Sequence, residues 1–216
     1  MKQLLVIPTL TEATKLIENY GFKSLAVPQL FELSSSCFLF ICGVGTLPAV
    51  YNLSLHLANY QYDRIIHAGV AGSFFHNLQP GDVVQVTRDT FADYGVDQDG
   101  TFRWIFHEGL WDPQESPFRD GWLEVPPDPQ LNLQQVSAVT VDLVTGSDIR
   151  KDQIINRFNP HIETMEGAAV LYVCARIEVP AIQIRAISNQ AGKRDRLSWK
   201  MDEAIDALTR ELSHYL

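Results

Sequence analysis

The sequence predicts an α/β protein, a three-layer sandwich with a central mixed, mostly parallel sheet flanked by helices. Two patterns carry this expectation. Short β-branched and leucine-rich runs at residues 4–7, 38–42, 64–68, 83–87, 136–144 and 181–187 read as strands, and between several of them apolar residues recur at helical spacing. Several of these runs are apolar on both faces, as strands are when helices cover the sheet from each side. With 216 residues, 46% hydrophobic and 20% charged, the chain can bury a substantial core and is expected to form one domain over residues 1–216.

The first element is Met1-Lys2-Gln3-Leu4-Leu5-Val6-Ile7-Pro8. Its apolar core of four residues has no small-residue cleavage site behind it, so it reads as a strand and not a signal peptide. Glu12 follows Thr9-Leu10-Thr11 just past that strand. It suits either an acid in the first turn of a helix, favourable to the dipole, or a general base at a strand-end cleft. Gly43-Val44-Gly45-Thr46 then ends one strand and opens a helix, along which Leu47, Val50, Tyr51, Leu55 and Ala58 follow helical spacing. Backbone N–H groups there could face a ligand, or the glycines could simply make a tight turn. Pro48 stands where a dinucleotide fingerprint needs its third glycine, and no phosphate-loop lysine follows.

His67-Ala68-Gly69-Val70-Ala71-Gly72-Ser73 repeats the device at the next strand exit. Its small residues Val70, Ala71 and Gly72 would let a flat ligand lie against the main chain, or serve close helix packing. Residues 93–129 break the alternation. They are rich in Gly, Pro and tryptophan, end in Pro126-Pro127-Asp128-Pro129, and read as a functional loop or an interface.

The chemistry concentrates in two later segments. In Glu163-Thr164-Met165-Glu166-Gly167-Ala168-Ala169 an acid, Glu166, sits where a polar extended segment becomes an apolar helix marked by Ala168, Leu171, Tyr172 and Ala175. In Arg185-Ala186-Ile187-Ser188-Asn189 a buried strand delivers an amide to its exit. A carboxylate accepts two hydrogen bonds from a ribose diol, and an amide both donates to and accepts from a purine edge, so the pair suits a nucleoside. Residues 199–216 close the chain with a last amphipathic helix through Ala204, Ile205, Leu208 and Leu212.

Other classes fit poorly. The formal net charge of −9 and the scattered basic residues argue against nucleic acid. No apolar run approaches a membrane span. Cys37, Cys42 and Cys174 are too irregular for a disulfide framework, so a reducing, cytoplasmic compartment is expected. The six histidines lack metal-site spacing, and no Gly-x-Ser-x-Gly elbow is present, so no metal, cofactor or serine nucleophile is expected.

Taken together, the ordered segments resemble the purine nucleosidase/phosphorylase superfamily, in its methylthioadenosine/S-adenosylhomocysteine nucleosidase branch. The likeness covers nearly the whole chain: Glu12 after strand one, Gly43-Val44-Gly45, Ala68-Gly69-Val70-Ala71-Gly72, Gly81-Asp82-Val83-Val84, Met165-Glu166-Gly167-Ala168-Ala169 and Arg185-Ala186-Ile187-Ser188. It implies a nucleoside phosphorylase-like fold, hydrolysis through an oxocarbenium-like transition state with Glu12 activating water, Glu166 on the ribose hydroxyls, Met165 beneath the sugar, and no cofactor. Adenine-specific members carry aspartate after Ile-Ser, where this chain has Asn189. An amide can donate to O6 and accept from a protonated ring nitrogen, which implies a 6-oxopurine leaving group. Phosphorylases of the superfamily hold phosphate with arginines where this chain has Pro8-Thr9-Leu10 and Ile65-Ile66-His67, which points to water as nucleophile.

The segments Asn189-Gln190-Ala191-Gly192-Lys193-Arg194-Asp195, Trp199-Lys200 and residues 91–100 look most like the futalosine hydrolases of menaquinone biosynthesis, which release hypoxanthine and dehypoxanthine futalosine. Tyr94, Val96 and Thr145-Gly146-Ser147-Asp148 depart from that pattern. Futalosine carries an aromatic carboxylate beyond its ribose. Phe102, Trp104 and Phe106 could offer it an aromatic face, with Arg103 or Arg119 as the cation, although the same alternation fits an ordinary strand or a subunit contact. Family members complete this side of the pocket from a neighbouring subunit, which implies a homo-oligomer. The competing expectations are a purine nucleosidase of the adenine or inosine type and a non-catalytic nucleoside-binding protein on the same scaffold.

Overall fold

A computed structural model describes residues 1–193 and 195–216; Arg194 of the segment quoted above lies outside the described residues. The chain opens with β1 (Gln3–Ile7), α1 (Leu10–Tyr20), β2 (Lys23–Ser24), β3 (Leu30–Ser34) and β4 (Cys37–Ile41). It continues through α2 (Thr46–Asn59), β5 (Arg64–Ser73), β6 (Val83–Asp89), a hairpin of β7 (Gly95–Gln98) and β8 (Thr101–Trp104), and β9 (Leu123–Glu124). The last third holds β10 (Gln134–Thr140), α3 (Asp148–Phe158), β11 (Ile162–Thr164), α4 (Gly167–Arg176), β12 (Ala181–Gln190) and α5 (Met201–Leu212). Among the described residues no helix is long and apolar enough to cross a membrane.

The central sheet is mixed, as expected, and runs β11-β10-β6-β12-β5-β1-β4-β3-β2, with β9 on β6. Its interior consists of two parallel blocks, β4-β1-β5-β12 and β6-β10-β11, set antiparallel to each other where β12 meets β6. Short β11 also pairs back onto the end of β5, Ile162 with Ser73 and Glu163 with Gly72, so the sheet curls on itself. Helices cover both faces. Leu16 of α1 and Ala204, Leu208 and Leu212 of α5 bury against Leu5, Ile66 and Ile184 on one side. On the other, Ala49 and Leu53 of α2 and Ala168, Val170 and Leu171 of α4 pack on Leu4, Val6 and Ile65.

Two sequence expectations change. The strand expected to stop at residue 68 continues to Ser73, so Gly69-Val70-Ala71-Gly72 is strand and not a turn at its exit. The reason is tertiary: a Cβ on Gly69 would lie 2.4 Å from Arg185 Nη1 and 3.1 Å from Glu12 Oε1, so glycine here admits side chains arriving from β12 and α1. The run expected to extend to residue 144 ends as strand at Thr140, and the chain beyond it turns toward α3.

Candidate active site

The ends of six strands, β1, β4, β5, β10, β11 and β12, and the start of α5 meet around a cavity of about 370 Å³ lined by Pro8, Thr9, Glu12, Val44, Val70, Ala71, Gly72, Val141, Val144, Glu163, Met165, Glu166, Ser188, Asn189, Trp199 and Met201, among others. All seven residues named from the sequence as catalytic or substrate-binding, Glu12, Asn189, Met165, Glu166, Val70, Ala71 and Gly72, line this one space.

Glu12 is placed by the capping chemistry of α1. Thr9 sits in extended backbone (φ −133°, ψ 154°) and its hydroxyl accepts the Glu12 N–H at 3.2 Å, while the same hydroxyl donates to Glu12 Oε2 at 2.6 Å. The other oxygen, Oε1, accepts the Val70 N–H at 3.0 Å. The carboxylate is therefore fixed at the cavity wall and only 7% exposed. The first-turn acid of α1 thus also faces the cleft.

Glu166 stands at the start of α4 with no capping bond of its own; its Oε1 crosses to accept the Gly45 N–H at 2.9 Å. The neighbouring Thr46 N–H and hydroxyl are taken by Asp142, at 2.8 and 2.5 Å. The Gly45 and Thr46 N–H groups at the start of α2 are thus taken by two protein carboxylates and are not open to a ligand. Gly45 itself has φ 88°, a conformation that other residues reach only with strain. Burial pushes the Glu166 carboxyl up to about 7; the Arg185 charge and the Gly45 N–H oppose this, and Glu12 and Asp142 add to it.

Asn189 owes its position to a bulge. The register of β12 on β5 slips between Ile187, opposite Ala71, and Asn189, opposite Gly72, so Ser188 and Asn189 both reach the cavity. Ser188 Oγ donates to Asn189 Oδ1 at 2.8 Å and Asn189 Nδ2 donates to Gln190 O at 3.0 Å. One N–H and one lone pair of the amide remain for a ligand.

Beneath this floor lies a group whose importance sequence reasoning missed. Arg185 is fully buried and donates to His67 Nε2, and His67 in turn donates from Nδ1 to Val6 O at 2.9 Å. Burial and the Arg185 charge hold His67 well below its ordinary pKa, hence neutral. Burial lowers the pKa of Arg185 itself, while Glu166, Glu12 and Asp89 hold it up. A buried cation thus balances the cavity's acids from behind. Trp199 and Met201 were also missed as lining residues; Trp199 arrives from the segment just before α5 and Met201 is the first residue of that helix.

The aromatic run does not reach the cavity. Trp104 and Phe106 are buried among Phe91, Phe118 and Phe158, with the Trp104 indole N–H donating to Phe91 O at 2.9 Å. Arg103 pairs with Glu108 and Arg119 with Glu124. The burial of Trp104 and Phe106 therefore reports packing under the irregular segment, and none of these residues lines the cavity.

The model of the phosphorylase superfamily matches residues 29–216. The chain belongs to this superfamily. It is 29% identical to a futalosine hydrolase of Thermus thermophilus, an alignment covering 99% of this chain and 94% of that protein. It is 27% identical to a 5′-methylthioadenosine/S-adenosylhomocysteine nucleosidase of Bacillus cereus over 81% of this chain and 76% of that one. The native structure of futalosine hydrolase of Helicobacter pylori superposes with a TM-score of 0.80 at 18% identity, covering 99% of this chain and 96% of the other, a likeness of fold. The superfamily fold thus agrees with the architecture and resemblance read from the sequence.

Proposed function

We propose that this chain is a nucleosidase, one domain over residues 1–216, that hydrolyses the N-glycosidic bond of futalosine to hypoxanthine and dehypoxanthine futalosine, a step of menaquinone biosynthesis. The observation that carries this reading is the convergence of two buried glutamates and an amide, Glu12, Glu166 and Asn189, on one cavity. Glu12 takes a proton from water as it adds at the anomeric carbon. Glu166 accepts from the ribose hydroxyls with Met165 below the sugar. The C1′–N9 electron pair leaves with the base, N7 takes a proton from water, and Asn189 donates to O6 and accepts from that N7–H; Glu12 returns its proton to solvent afterwards. Among the described residues the cavity lining contains no Lys or Arg to hold a phosphate dianion, which supports water as the nucleophile.

The full-length relationship to the Thermus thermophilus enzyme supports futalosine over other nucleosides. The protein acts in the cytoplasm, without cofactor, metal, nucleic acid or membrane, as a homo-oligomer. The last point draws support from an exposed apolar stripe, Val44, Leu47, Tyr51 and Leu55, that begins at the cavity rim and runs along α2. The test is to incubate the purified chain in phosphate-free buffer with futalosine, inosine and methylthioadenosine, and to identify the free base by chromatography. Hypoxanthine from futalosine is the expected product. Adenine released from methylthioadenosine at higher efficiency would replace this reading with the adenine-type nucleosidase, and binding without any free base would indicate a nucleoside-binding protein.

A further inference from the structure

Glu163 has no part in the chemistry above, yet it is a cavity-lining carboxyl with a free oxygen. It is 5% exposed. Its Oε1 accepts one long bond, 3.3 Å, from the Thr145 N–H, and among the described residues neither its Oε2 nor the Thr145 hydroxyl has a hydrogen-bond partner. A brace for the 140s loop would not need a second, unpaired oxygen, since leaving a buried acceptor unsatisfied costs stability. Such an atom beside a cavity suits a donor that arrives with a ligand.

Its position says which part of the ligand. Glu163 pairs with Gly72 where β11 meets β5. A Cβ built on Gly72 would lie 3.4 Å from Glu163 Cγ and 3.3 Å from Asn189 Nδ2. The two side chains therefore approach over the same glycine, at the base end of the cavity and away from Glu12. Burial pushes the Glu163 carboxyl up to about 6, so above neutral pH the group is an acceptor only.

We propose that Glu163 is a second base-recognition residue, its free oxygen accepting the N1–H of a 6-oxopurine while Asn189 spans O6 and N7. The proposal rests on the nucleosidase reading and sharpens it. Together the two side chains match the successive polar positions of hypoxanthine. A 6-aminopurine turns two of them around: its amino group meets the Asn189 N–H, and its N1 lone pair meets the Glu163 carboxylate. Discrimination of this kind is strong because the mismatched site is left with unpaired polar groups.

The experiment compares kcat/KM for futalosine and its 6-amino-6-deoxy counterpart, at pH 8, in wild type and Glu163→Gln. The glutamine amide can donate to N1 of the aminopurine, so the futalosine preference should fall about ten- to a hundredfold, the range of one charge-assisted hydrogen bond. A preference unchanged in a variant that melts like wild type would overturn the proposal. A measurement on the wild type keeps the test independent of that variant's folding: 1-methylhypoxanthine should inhibit at least about tenfold more weakly than hypoxanthine, and equal inhibition would overturn the proposal. Failure of the wild type to cleave either nucleoside would remove the function itself, whereas cleavage of futalosine with an unmoved ratio removes only the role of Glu163.

Discussion

Replacing Glu166 by Gln tests whether this cavity-lining carboxylate is held in the fold against its own hydration. Burial raises its pKa from an ordinary 4.5 to about 7, net of the opposing Arg185 charge. Between those two values the folded chain holds a proton that the unfolded chain releases. The stabilisation linked to that proton is complete below pH 4.5 and is lost as pH rises through about 7. A displacement of this size is worth about 3 kcal/mol, of which about 2.5 kcal/mol falls between pH 5 and pH 8. The glutamine variant keeps an oxygen for the Gly45 N–H but cannot ionise. Relative to wild type it should therefore gain about 2.5 kcal/mol from pH 5 to pH 8, or roughly 5–10 °C in the difference between the two melting temperatures for a chain of this size. Thermal melts of both proteins at the two pH values measure this directly. A difference that stays constant with pH would mean that Arg185 compensates the carboxylate fully, and the account of Glu166 as a strained, poorly hydrated acid would be refuted.

The remaining predictions address the other walls of the cavity. Glu12→Gln should lower kcat by about a hundred- to ten-thousandfold while calorimetric affinity for the substrate stays within a few-fold, and near-normal turnover would remove Glu12 from the mechanism. Asn189→Asp should cut kcat/KM for futalosine by about ten- to a hundredfold and favour 6-aminopurine nucleosides; a variant that still prefers futalosine to the same degree would show that the amide does not read O6. Gly69→Ala drives a methyl group to 2.4 Å from the fully buried Arg185. It should cost about 1–3 kcal/mol in denaturant unfolding and lower kcat through displacement of Glu12, and a neutral substitution would contradict the close packing of β5 against both side chains.

What could be read without coordinates was the chemistry that announces itself locally. Glu12 follows a capping threonine, Glu166 interrupts a strand-to-helix transition, and Asn189 ends an apolar strand, so each could be picked out from its own neighbours. The strands of the sheet interior were visible for the same reason, through apolar runs too short for helices. α3 was not, because Ile154 and Phe158 are its only buried residues among those described and so few apolar positions leave a faint periodicity. The features that misled were those whose cause lies far away in the chain. Gly69 reads as a strand exit, but its missing side chain serves Arg185 and Glu12; Gly45 reads as a turn with an N–H free for a ligand, but that N–H belongs to Glu166.

Glu163 shows the same division inside a single motif. Its place three residues before Glu166 was plain, yet nothing in that spacing distinguishes an exposed strand-end acid from a buried one. The distinction arises only when β11 folds back onto β5 and sets Glu163 opposite Gly72, beside the bulge that turns Asn189 inward. Base selectivity in this protein should then depend on sheet closure as much as on residue identity. On this proposal a nucleosidase with the same acids but no β11–β5 pairing would keep Asn189, and with it the contact at the purine six-position, and lose the second contact at N1 that sharpens the choice between an oxygen and an amine there.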